Sequence, residues 1–153
     1  MGGPDAMPIK HFPRVGQILI CDFSPSFKEP EMVKRRPVLV VADAFKGRGR
    51  VLTVVGLSTT APHTVMPFHM RLPRASLPAL PAFQQSEATW VKGDMIYTVG
   101  FHRLDAIRLG TRGPHGKREY FKQRLSKECM REVYACILHG LNQAEIAKLL
   151  SDA

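Results

Sequence analysis

Four apolar runs constrain this chain more than any other feature: ILIC at 18–21 with Phe23 close behind, VLVV at 38–41, VLTVVGL at 51–57 and ATWVKGDMIYTV at 88–99. The first is too short for a helix and too continuous for a strand with one face in water, so it reads as a buried strand from Gln17 to Phe23. Pro37 to Asp43 and Val51 to Leu57 read the same way, joined through the basic turn Lys46-Gly47-Arg48-Gly49-Arg50 into a hairpin. Between the first two strands lies a polar loop, Ser24 to Arg35, with two prolines, two glutamates and two lysines and no helical apolar stripe. A loop rich in both acids and bases, held by a strand at each end, is where a rigid scaffold displays function.

The later segments follow similar logic. Thr64 to Leu72 reads as a fourth strand that Pro67 demotes to an edge or bulge, and Pro73 to Gln85, with three prolines, as a long surface loop or lid. Ala88 to Val99 is strand again, interrupted by Gly93, which predicts a bulge that re-aims Lys92 and Asp94. Arg103 to Arg108 is a short strand or turn, and Gly110 to Gly116 a basic loop. The period then changes. Ser126 is the expected N-cap of a helix whose apolar face runs through Met130, Val133, Tyr134, Ile137, Leu138 and Leu141. Asn142 with Glu145 resembles a capping box opening a second, short helix. Many short strands followed by terminal helices predict a mostly β, barrel-like domain with helical packing rather than a parallel α/β sheet.

Composition narrows the partners. Twenty-two Lys and Arg against 13 Asp and Glu leave a formal charge of +9 and a pI near 9.9. Such a field draws polyanions by releasing their counterions, which favours nucleic acid. No long basic amphipathic helix argues for a membrane surface. The three cysteines, Cys21, Cys129 and Cys136, lack zinc-type spacing and fit reduced, buried thiols of a cytoplasmic protein. The six histidines show no metal-ligand spacing either. Residues 1–14 read as a flexible leader without a signal-peptide core, and no apolar run has the length of a membrane span.

Three landmarks in fixed order, GQILICDFSP at 16–25, E-x-x-x-x-R-P-V-L-V-V from Glu31 to Val41, and TWVKGDMIYTV from Thr89 to Val99, resemble the MazF/PemK family of toxin endoribonucleases. The resemblance covers about residues 15–141 and implies an SH3-like small barrel with a C-terminal helix; 142–153 is then an added short helix. It implies that Arg36 is the active-site arginine before proline, Glu31 the loop acid, Ser58 and Thr59 the hydroxyl pair ending the third strand, and Lys92 and Asp94 a basic-x-Asp element. It also implies cleavage of single-stranded RNA without a metal or other cofactor, a homodimer, and inhibition by a cognate antitoxin in the same groove. Departures are visible. Pro30 stands where some relatives carry a histidine, Tyr97 and Gly100 replace a more polar pair, and the 73–85 segment is longer than in short toxins. A catalytically silent RNA- or peptide-binding module is the alternative that these departures favour, and a protein-targeting inhibitor is a second.

The residue chemistry suits the implied reaction. Metal-free RNA cleavage needs a base for the 2′-OH, donors around the phosphate and a proton for the departing 5′ oxygen. Arg36 offers a planar fork of donors to phosphate, though a guanidinium does not act as a literal acid near neutral pH. Glu31 or Asp94 would be the base, which burial would have to tune upward from a free value of about 4. Lys28, Lys34, Arg35 and Lys92 would bind RNA electrostatically, and Trp90, Phe27 and Phe101 are candidates for stacking on bases. Each has a plainer reading: an Arg36–Glu31 ion pair, a turn at Asp94, a strand end at Ser58, a core role for Trp90.

Overall fold

The computed structural model describes residues 12–24 and 26–151, the side chains at 111 and 112 excepted, so the leader assigned to 1–14 falls largely outside it. Eight strands are formed: β1 (Ile18–Asp22), β2 (Arg35–Val40), β3 (Val51–Ser58), β4 (His69–Arg71), β5 (Trp90–Gly100), β6 (Leu104–Asp105), β7 (Arg108–Arg112) and β8 (Arg118–Tyr120). Among the described residues three α-helices accompany them, α1 (Pro81–Gln84), α2 (Lys127–Gly140) and α3 (Ala144–Ser151), with three short 3-10 turns. Six strands make one antiparallel sheet in the order β4-β5-β3-β2-β1-β6, and β7 and β8 form a separate ribbon. The ladder is open, with β4 and β6 at its edges.

The apolar runs are continuous because both faces of the central strands are buried. Ile18, Leu39, Val41, Val55, Leu57 and Val91 point to one side, where Cys129, Met130 and Val133 of α2 cover them. Leu19, Cys21, Val38, Val40, Leu52, Val54 and Val99 alternate with these and fill the other side with Phe23, Phe101 and Leu104. A strand's period of two therefore assigns every residue of VLVV to one core or the other. Burying each such side chain contributes about 1.5–3 kcal/mol.

Helix α2 begins where expected: the Ser126 hydroxyl accepts the Cys129 N–H at 3.1 Å. Tyr134 Oη donates to the Val41 carbonyl at 2.8 Å, tying the helix to the sheet. All three cysteines are free and buried, and burial pushes the Cys21 thiol up to about 12 and Cys136 to about 11. They pack as small apolar groups.

Four segments differ from the sequence reading. The strand expected over 64–72 shrinks to His69–Arg71, at the sheet edge as Pro67 implied; the Met66 N–H turns instead to His69 Nδ1 at 2.9 Å. Residues 73–85 are no lid. Leu77 and Phe83 are buried in the core, Pro81 opens α1, and the Arg74 guanidinium donates to the carbonyls of Gln84, Ser86 and Glu87. Asn142 is not a cap of α3. It sits at φ 59° and donates its N–H to His139 O, ending α2 in a left-handed residue, a role that asparagine tolerates well. The region 103–116 holds β6 and the whole of β7 rather than one strand and a loop, because β6 finds a partner in β1 and β7 in β8.

Candidate functional site

Residues 23–34 leave β1 and return into β2 as an arch with its own bracing. Phe23 N donates to Lys34 O at 2.9 Å across the neck, with Lys34 held at φ 67°. Inside the arch the Glu31 carboxylate accepts the Lys28 N–H at 3.2 Å, and Glu31 N donates to Lys28 O. Arg103 clamps one flank. Its guanidinium donates to Asp22 O at 2.9 Å, Ser24 O at 3.0 Å and Ser26 Oγ at 2.9 Å, and lies 5.2 Å from the Phe27 ring. Tyr97 holds the other flank, its hydroxyl oxygen accepting Met32 N–H at 3.2 Å. Phe23, Phe27 and Tyr97 pack ring against ring between them.

Across from the arch, β5 departs from its ladder with β3. Val55 faces Ile96 and Gly56 faces Lys92, which leaves Gly93, Asp94 and Met95 without a partner on β3. This is the bulge that Gly93 predicts, and it is wider than a single residue. Two close approaches fix it. A Cβ on Gly93 would meet the Cys136 carbonyl of α2, and one on Gly56 would meet the Met32 sulfur of the arch. Both positions are small because backbone or side chain already occupies the space.

Between arch and bulge opens a groove of about 710 Å³ lined by Glu29, Glu31, Met32, Arg36, Ser58 and Lys92, with Met95, Leu57 and Thr60 beside them. Arg36 comes from β2, Ser58 from β3, Lys92 from β5 and Glu31 from the arch, so four elements converge. Thr59, Lys28, Lys34, Arg35 and Asp94 do not line it. Arg35 is paired with Asp105 at 3.1 Å, and Asp94, exposed within the bulge, acts electrostatically on His69. The Arg36–Glu31 ion pair of the plainer reading is not formed among the described residues; Arg36 Nε instead donates to Val33 O at 3.3 Å.

The groove is mixed in charge, Glu29 and Glu31 facing Arg36 and Lys92. Glu31 and Asp94 are both exposed, so neither has the burial that efficient proton removal would want. Ser58 Oγ is engaged with Thr60, donating to its carbonyl and accepting its N–H, each at 3.1 Å. Asp22, at the arch entrance, is held below the usual carboxylate range, first by the hydroxyl hydrogen bond from Ser24 at 2.6 Å. Burial lowers His69, against the raising effect of Asp94. Trp90 and Phe101 are core residues and Phe27 is part of the arch's aromatic cluster, so none is a free stacking platform. Among the described residues no three His, Cys, Asp or Glu side chains gather closely enough to hold a metal ion, and no helix is long and apolar enough to cross a membrane.

Met32, Met95, Tyr97 and Arg103 are the groove's makers that sequence reading passes over. Only the change of Tyr97 from a more polar family residue signalled any of them, and nothing local to Arg103 announces a reach back to residues 22–26.

Residues 14–141 match the family model described as PemK-like, MazF-like toxin of type II toxin–antitoxin system. Among curated proteins, a putative uncharacterized protein named YifN from Escherichia coli K12 is 28% identical over 153 residues, covering 89% of this chain and 96% of its own. Among solved structures, MazF from Deinococcus radiodurans superposes with a TM-score of 0.58 at 17% identity, over 86% of this chain and 98% of that one. An endoribonuclease in complex with its cognate antitoxin from a mycobacterial species gives 0.53 at 18% identity, over 85% and 95%. These likenesses establish the fold: a mostly β domain of this type with C-terminal helices.

Proposed function

Because the chain belongs to the PemK-like, MazF-like toxin family, we propose that it is a metal-independent endoribonuclease that cuts single-stranded RNA in the groove between arch and bulge. Glu31 takes the proton of a ribose 2′-OH, the 2′ oxygen attacks the adjacent phosphorus, and the bond from phosphorus to the 5′ oxygen breaks. A water protonates the departing oxygen, and the hydroxide so formed takes the proton back from Glu31. The products are a 2′,3′-cyclic phosphate and a 5′-hydroxyl end, and DNA, lacking the attacking hydroxyl, is spared. Arg36 and Lys92 carry the phosphate's developing charge, and the Ser58 hydroxyl turns from Thr60 to a phosphate oxygen. Asp94 acts on charge from outside the groove rather than as the base.

The observation that supports this reading most is that Arg36, Glu31, Ser58 and Lys92, brought from four separate elements, line one groove. The test is incubation of purified protein with single-stranded RNA in chelator. Cutting that survives chelation, spares DNA and falls by about 10²–10³ in Arg36→Ala supports the enzyme. RNA retarded in a gel but uncut by the native protein supports the silent binding module instead.

A cognate antitoxin is the expected partner, in keeping with the mycobacterial structural relative that carries one. It would compete with RNA for the groove, in the cytoplasm, on a homodimer. Sedimentation of the purified chain, alone and with the product of a neighbouring acidic reading frame, tests both.

A further inference from the structure

The hairpin turn between β2 and β3 carries three basic residues in five, Lys46, Arg48 and Arg50, and the groove does not use them. Phe45 is 76% exposed, the most exposed large apolar residue among those described, and it stands beside Lys46, Arg48 and Arg50. Lys46 and Arg48 make no side-chain hydrogen bond or ion pair with any described residue, while Arg50 lies 5.6 Å from the Phe101 ring. Under this turn is a pocket of about 210 Å³ lined by Phe45, Arg48, Thr53 and Thr98, with Ala42, Asp43 and Ala44 beside them. The two threonine hydroxyls lie 3.1 Å apart at the sheet surface. Asp43, the only acid there, is already engaged by the Val15 N–H at 2.9 Å and by Arg14 at 3.3 Å, so its charge is answered from within.

A ring, a planar cation, a mutually hydrogen-bonded pair of hydroxyls with further lone pairs and one donor to offer, and an adjacent ammonium are the parts that hold an unstacked nucleotide. The aromatic face accepts any base, the cations take the phosphates, and the hydroxyls offer a donor and acceptors to a base edge. A glycine on each side of Arg48 lets the turn fit itself to the strand, Gly47 at φ 82° with open space around its Cα. The place is remote from the groove. Val51 lines this pocket and Ser58 the groove, at opposite ends of β3, a rise of roughly 23 Å.

We propose that this hairpin is a second single-stranded nucleic-acid site, in which a base seats against Phe45 over Thr53 and Thr98 while Lys46 and Arg48 hold flanking phosphates. It rests on the ribonuclease reading only for the identity of the natural ligand. A substrate long enough to reach from the groove to the hairpin is held at both ends of the sheet, whereas a short one meets the groove alone.

The test uses the full chain and a fluorescent oligo-dT of about 20 nucleotides, which a 2′-OH-dependent nuclease cannot cut. The double variant Lys46→Ser/Arg48→Ser is expected to bind it about tenfold more weakly at low salt. Its slope of log affinity against log salt should be shallower by about 1.4, two phosphate contacts at about 0.7 each. Phe45→Ser is expected to weaken binding about tenfold with the slope unchanged. In cleavage assays the double variant raises KM for long RNA and leaves kcat, and the cleavage of short RNA, unchanged. Lys46→Ser alone, at a fully solvated position, guards against misfolding and should give half the slope change. Native affinity and slope in the variants overturn the site. So does a changed sedimentation state with affinity retained, which would make the turn a contact between copies. A chain that cuts no RNA yet loses oligo-dT binding in these variants keeps the hairpin site and loses the nuclease. One that cuts RNA with the hairpin variants unaffected does the reverse.

Discussion

Gly93 of β5 and Gly140 of α2 meet backbone to backbone: a side-chain carbon on Gly140 would strike the Gly93 carbonyl, with Asp94 N close behind. The contact seats the end of the helix on the bulge that separates Lys92 from Asp94. In an isolated helix glycine is a cost; here it allows the approach.

Gly140→Ala should therefore destabilise the fold by about 2 kcal/mol, the overpacking cost exceeding the gain in helix propensity. The atoms it meets are backbone and cannot rotate aside. Gly110, whose Cβ would meet nothing within 4 Å, serves as the control, and its alanine variant should stay within about 0.5 kcal/mol. Urea unfolding of the two variants checks this, and equal midpoints would refute the contact's importance.

Arg36→Lys should recover little of the activity lost in Arg36→Ala, because an ammonium keeps the charge but not the forked donor geometry. Ser58→Ala should cost less, since its hydroxyl must first leave Thr60. Single-turnover cleavage of one RNA by all three variants gives the order; full activity in Arg36→Lys would show that charge alone suffices.

Arg103→Ala should loosen the arch without touching RNA. Three donated hydrogen bonds, to Asp22, Ser24 and Ser26, are lost together. Hydrogen exchange should quicken over residues 23–34 while the protection of β3 is unchanged, and kcat should fall. Undisturbed exchange in the arch would assign the residue no bracing role.

Thr89 is buried with its hydroxyl unpaired among the described residues. A buried polar group without a partner costs about 1–3 kcal/mol in protein mutational series, so Thr89→Val should leave stability unchanged or raise it by about 1 kcal/mol. Loss of stability on thermal melting would mean that the hydroxyl has a partner.

Asp22 supplies a pH dependence. Its folded carboxyl lies below its unfolded value, mainly through the Ser24 hydroxyl, so its stabilisation is present above the unfolded value and is lost as pH falls through the folded one. Ser24→Ala should slightly lower stability at neutral pH, leave it unchanged at low pH where Asp22 is protonated, and so flatten that acid limb of the stability curve. An unchanged acid limb would count against the hydrogen bond.

Strand positions were legible because burial on both faces writes itself as uninterrupted aliphatic runs, and Ser126 was legible because capping is local. Arg36 and Glu31 could be placed from the order of three landmarks. The converging wall could not: Lys92 faces Gly56 only through a register shift, and Asp94, one residue past the glycine, is carried out of the groove by the same shift. Residues 73–85 misled for a related reason. Their prolines forbid regular periodicity, yet Leu77 and Phe83 each find the core individually. Asn142 misled because the residue types that start a helix also stop one.

The two-sided burial of β2 and β3 has an evolutionary corollary. With Val38 to Val40 and Val54 to Leu57 closed to water on both flat sides, novelty enters at the strand ends and turns, at the arch on one rim and the hairpin on the other. Each rim can be rewritten while the interior stays untouched, so a lineage can change what it grips without relearning how to fold.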